Sequence, residues 1–124
     1  GIFQNSHWED GTWYEDTFRN SVWSGGTWYN GTFVNSDWYT GSWFDGNFTT
    51  SDWRYGDWYN GEWNNSSINQ QTPTSYINWK FGTFNNGYIH PTSIVNWSGG
   101  TWNLGQFEAR NITEIITIFP NATL

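Results

Sequence analysis

Large rings recur every five residues through the first half of the chain without a slip: Phe3, Trp8, Trp13, Phe18, Trp23, Trp28, Phe33, Trp38, Trp43, Phe48, Trp53, Trp58 and Trp63. Ile68 closes the series in phase, and a Gly or Ser stands two residues before each member, Asp16 being the exception. A period of five matches neither the ~3.6 of an amphipathic helix nor the ~2 of an alternating strand. It suits a short extended piece followed by a corner. In Gly-Thr-Trp the first and third residues point to one side and Thr to the other. The Asn, Asp, Gly or Tyr that follow can turn the chain, because Asn and Gly tolerate left-handed dihedrals.

A second period of 15 residues lies over the first, in blocks starting at Gly1, Asp16, Gly31 and Gly46. Ser6, Ser21, Ser36 and Ser51 share one column of these blocks, and Gly11, Gly26, Gly41 and Gly56 another. Asn5, Asn20 and Asn35 form a third column, broken by Thr50, and Tyr14, Tyr29, Phe44 and Tyr59 a fourth. Like positions stacked at the ~4.8 Å strand spacing would make ladders of rings and of Asn. The expectation is an all-β parallel solenoid, a β-helix of five-residue units.

The unit G/S-T/D-W/F-x-x resembles that of the pentapeptide-repeat family, A-[DN]-L-x-x, over residues 1–68 and again at 77–114. The resemblance implies a right-handed β-helix in which both the small and the large residue face inward. Here Gly or Ser stands for Ala, and Trp or Phe for Leu. The family uses four units per coil, whereas these columns recur after three. The Trp-rich, Gly-Thr-Asn texture is also similar to repeat segments of phage tail fibres and other large virion surface proteins.

Geometry leaves the number of sides open. Three units at ~3.3 Å per residue give a perimeter of about 50 Å, enclosing roughly 120 Å². Three inward rings at interior density need about 150 Å², so a four-sided coil accommodates them better. The 15-residue columns favour three sides. A three-sided coil with Gly and Ser inward and Trp outward would reconcile the two, and so many exposed Trp would demand a covering partner, as in a fibre trimer or bundle. A flat antiparallel meander with one aromatic face would need a cover too.

After Ile68 the texture changes. Residues 69–76 read as an irregular loop with Pro73 barring a central strand. The five-residue spacing resumes at Trp79, Phe84, Ile89 and Ile94, then shifts to Trp97, Trp102, Phe107 and Ile112. The tail from Ile112, rich in β-branched residues, reads as a strand. The chain therefore divides into a solenoid at 1–68 and degenerate repeats at 69–124 ending in an irregular β cap, or an adapter to the next fibre segment.

Composition sharpens this picture. With 12 Trp, 9 Phe and 7 Tyr, the core cannot be an ordinary aliphatic one. Two Leu, two Ala, one Lys and no Met argue against helices. Zero Cys excludes disulfides and thiolate metal sites. Position 1 is Gly rather than Met, which marks a processed product or a fragment. No apolar run approaches the ~20 residues of a membrane helix. The net charge of −7 argues against binding to nucleic acid. All of that charge lies in residues 1–68, where acidic edges would keep a sticky rod soluble.

Candidate chemistry is sparse. His7 and His90 occupy unlike places with no ligand cluster around them, and Glu9-Asp10 and Glu15-Asp16 read as charged corners. Nucleophile and phosphate-loop motifs are missing from the sequence, so neither catalysis, nor a cofactor, nor a metal is expected. The best ligand candidate is the column Tyr14, Tyr29, Phe44 and Tyr59, whose flat rings and polar tips could stack on a glycan or on one another. Asn-x-Ser/Thr sequons stand at Asn30, Asn47, Asn64, Asn65, Asn96, Asn111 and Asn121.

The expected function is a non-enzymatic structural and adhesive element of an extracellular filament, a virion fibre or a cell-surface protein. Its partners would be further copies or neighbouring fibre subunits, with a glycan as candidate ligand. A carbohydrate-binding module using the aromatic column is the alternative. A DNA mimic is a lesser one, since acidic pentapeptide-repeat rods look like DNA, but here Asp37 and Asp52 alone make a clean acidic column.

Overall fold

The computed structural model describes residues 1–70, 77–90, 93 and 95–103. Among these every regular element is a strand of two or three residues, and every pairing is parallel. The strands stack into three sheets, one for each side of a three-sided coil. The first face runs from Ile2–Gln4 through Thr17–Arg19, Thr32–Val34, Asn47–Thr49, Glu62–Asn64 and Thr83–Phe84 to Thr101–Trp102. The second holds His7–Trp8, Val22–Trp23, Asp37–Trp38, Asp52–Trp53, Ser66–Ile68 and Gly87–Ile89. The third holds Thr12–Trp13, Thr27–Trp28, Ser42–Trp43, Asp57–Trp58, Ile77–Trp79 and Val95–Trp97. Like residues pair with like, Phe3 with Phe18 and Trp8 with Trp23, so this is a parallel β-solenoid of about six turns.

The rings point inward. Each of the thirteen from Phe3 to Trp63 lies in the core or packs on it, and from Phe18 onward all are buried. Along each face they stack nearly flat: Trp23 on Trp38 at 5.0 Å and 5°, Trp28 on Trp43 at 4.8 Å and 5°, Phe18 on Phe33 at 4.9 Å and 5°. Within a coil they meet edge to face, Phe18 to Trp23 at 75°, Trp23 to Trp28 at 76° and Phe18 to Trp28 at 84°. Three planes so inclined around one axis are tilted against it, so a coil rise of ~4.8 Å leaves about 3.4 Å between stacked rings, which is van der Waals contact. Both favoured aromatic geometries are satisfied at once.

The four-sided expectation is therefore corrected, and so are the outward-Trp coil and the meander. The area argument charged the interior with whole-residue volumes, but the main-chain atoms of each ring residue belong to the wall. One ring in three of the regular coils is moreover the smaller Phe.

The expectation that Gly faces inward beside the rings is corrected too. The corner glycines take left-handed backbone, Gly26 at φ 108° and Gly41 at 127°. A Cβ on Gly26 would stand 2.1 Å from the Gly11 carbonyl oxygen of the coil before, and one on Gly41 2.4 Å from that of Gly26. These glycines let the corner carbonyl of one coil accept the next coil's N–H, as Gly11 O does from Thr27 at 2.9 Å. They also leave room for indole edges, Trp23 Nε1 lying 3.3 Å from the Cβ position of Gly41. Several indoles donate to a corner carbonyl one coil on: Trp28 to Asp45, Trp38 to Tyr55 and Trp43 to Asn60, at 3.0–3.2 Å.

Between the first and second faces the chain turns through left-handed Asn5, Asn20, Asn35, Thr50 and Asn65, at φ 46–54°. The next residue there is the column Ser, and its hydroxyl works twice. Ser36 Oγ accepts from Ser21 N–H at 3.1 Å and donates to Val34 O at 2.8 Å, and Ser21 and Ser51 repeat the pattern. From Ser21 to Ser66 these serines are buried.

After Ile68 both departures from 15 residues fall at the corner between the second and third faces. Trp58 pairs with Trp79, 21 residues on, and Trp79 with Trp97, 18 residues on. Residues 71–76, most of the expected loop, lie outside the described residues, as do Ile94, Phe107 and the expected cap and strand at 104–124. Of the described loop residues, Gln70 is buried and its N–H donates to Ser93 Oγ at 3.1 Å.

Candidate functional site

Side chains next to an inward ring point outward, and stacking turns each such position into a column. Tyr14, Tyr29, Phe44 and Tyr59 follow the rings of the third face and make the column expected of them. Tyr14 lies parallel to Tyr29 at 5.5 Å, Tyr29 to Phe44 at 5.2 Å, and Phe44 to Tyr59 at 4.6 Å. Tyr14 is 72% exposed and Tyr29 45%, while Phe44 and Tyr59 are half-buried. The ring faces that a sugar would need are covered by neighbouring rings, which leaves mostly edges to solvent. Lys80 continues that column, its N–H donating to Trp58 O just as Tyr59 donates to Trp43 O.

Two other outward columns are hydrogen-bonded ladders. Asn103 donates to Asn85 and Asn85 to Asn64, each at 2.8 Å, on the first face. Asn78 donates to Asp57 at 2.8 Å and Asn96 to Asn78 at 3.3 Å on the third. Of the sequons, Asn30 and Asn47 are exposed, Asn64 and Asn96 are ladder members, and Asn111 and Asn121 lie outside the described residues.

The second face carries the charged pair. Asp37 and Asp52 are register partners on adjacent strands. Burial holds the Asp52 carboxyl above its usual range, Asp37 adds to the rise, and Arg54 pulls the other way. The Arg54 guanidinium sits over the Tyr39 ring at 4.7 Å. His7 lies at the exposed start of this face with Nε2 2.6 Å from Ser24 Oγ. Among the described residues no three His, Asp or Glu gather into a group that could hold a metal ion, and no helix is long and apolar enough to cross a membrane.

One concavity stands out. A groove of about 810 Å³ follows the corner between the first and second faces across five coils, from Asn5 to Asn65. Sequence reasoning identified the Asn and Ser columns but not the groove, which exists only because left-handed corners fold the chain inward there. No model of a protein family matches the chain, and neither a curated protein nor a solved structure is significantly similar to it.

Proposed function

We propose that the chain is a non-enzymatic structural and adhesive element, an aromatic variant of the pentapeptide-repeat β-helix that serves as a stiff segment of an extracellular filament, a virion fibre or a surface protein. The observation that supports this reading best is the unbroken stacking of three ring columns, each layer hydrogen-bonded to the next. In such a structure every coil contacts only its neighbours, so length is gained by repetition and stiffness by stacking. The exterior of polar columns fits a rod that meets further copies or neighbouring fibre subunits along its length.

A mechanical role has a mechanical test. Pulled from its two ends in a single-molecule force experiment, the rod should come apart coil by coil, in even steps of about 50 Å for a 15-residue coil. Loss of the whole fold in one step at low force would remove this reading. Electron micrographs showing only isolated particles at high concentration would remove self-association. The carbohydrate module on the Tyr column is disfavoured by the covered ring faces. The DNA mimic is disfavoured because the clean acidic column contains only Asp37 and Asp52.

A further inference from the structure

The groove between the first and second faces differs from the rest of the exterior in where its hydrogen bonds go. On its floor the Ser hydroxyls are committed within the protein, accepting from one coil and donating to their own. On its rim the carboxamides of Asn5, Asn20 and Asn35 are exposed and make no hydrogen bond within the protein, although Asn columns elsewhere are tied into ladders. The left-handed backbone explains why Asn is admitted at these positions; it does not occupy the amide. Opposite stand the partly exposed carboxylates of Asp37 and Asp52. Donors and acceptors are therefore offered together at the ~4.8 Å coil rise, along a trough open from end to end.

That spacing selects a ligand. A peptide strand advances by ~3.3 Å per residue and cannot keep step with the coils. A nucleic acid meets the two carboxylates and a net charge of −7. An extended β-linked glycan advances by about one sugar ring per coil, and its vicinal hydroxyls are the groups that carboxamides and carboxylates bind in pairs. We propose that this groove binds an extended neutral β-linked polysaccharide lying along the solenoid axis, held by Asn5, Asn20, Asn35, Asp37 and Asp52. The site is separate from the Tyr column and independent of the mechanical role: a rod that failed as a strut would still carry it.

The test titrates the whole chain with cellohexaose, xylohexaose and the curved α-linked maltohexaose. The side-chain amide NMR signals of Asn5, Asn20 and Asn35 should shift with either β-linked glycan, and binding of maltohexaose should be at least about tenfold weaker. The double variant Asn20→Gly/Asn35→Gly keeps the left-handed corners and removes both amides, so its affinity should fall about tenfold or more. The variant Tyr14→Ser/Tyr29→Ser should bind as the parent does. No shift with either β-linked glycan would overturn the proposal, as would loss of binding in the Tyr variant alone. Should the Gly variant fail to fold, the shifts in the parent protein decide.

Discussion

The coils before and after Ile68 fill one cross-section in two ways. Up to Trp58, the second face supplies a Trp to each layer, and the corner that follows carries a Gly with no side chain. Beyond that point the second face supplies Ile68 and then Ile89, both smaller than Trp. The corner is lengthened, and the place of Gly56 in the register is taken by Ile77, which is 1% exposed, and then by Val95, at 0%. Volume lost on one side is restored from the adjoining corner. The extra residues, 21 or 18 per coil instead of 15, give that corner a route that does not require a bare Cα against the carbonyl of the coil before. What the two regions share is a filled interior, and the five-residue spacing is one way of reaching it.

The sharpest way to break the comparison is to put a distal feature into a regular corner. Gly26→Val forces a β-branched residue to φ 108° with its Cβ against Gly11 O. It should cost more than about 4 kcal/mol or abolish folding, read by thermal and denaturant unfolding. Removing a ring comes next. Trp28→Ala deletes a fully buried side chain and its bond to Asp45 O, and should cost about 3–5 kcal/mol in denaturant unfolding; a near-neutral result would mean the stacks do not carry the fold.

A smaller effect tests the compensation itself. Ile68→Trp should cost about 1–3 kcal/mol by overpacking. Combined with Ile77→Gly it should cost less than the sum of the two, with a coupling of about 1 kcal/mol or more in a double-mutant cycle. Additive costs would separate the two sites. Smallest is the Asp37–Asp52 pair. Because folding raises the Asp52 pKa, the folded state favours the protonated acid, and the parent loses stability as pH rises from about 4 through the folded value. Asp52→Asn should therefore melt higher than the parent at pH 7, by about 0.2–1 kcal/mol for a cross-strand pair of like charges. The gain should vanish as the pH approaches 4, in melts run across that range.

Much of this was legible in the residues alone. The ring spacing named every member of the three stacks through Trp63, the Asn column marked the left-handed corners, and Tyr14, Tyr29, Phe44 and Tyr59 were placed outside. These follow from strand alternation and local dihedral preference, which belong to a few adjacent residues. The columns also carried the correct coil length, against the area estimate.

Tertiary structure decided the rest: the inward rings of a three-sided coil, the double duty of the Ser hydroxyls, the groove and the exchange of Trp and Gly for Ile and Val. Each depends on how a coil meets the one stacked on it. Tilt lets the rings be edge-on within a layer and flat between layers, and only contact between layers makes a missing Cβ or a free amide matter. A repeat written in one dimension states what recurs. How much room each copy leaves the next is a property of the stack.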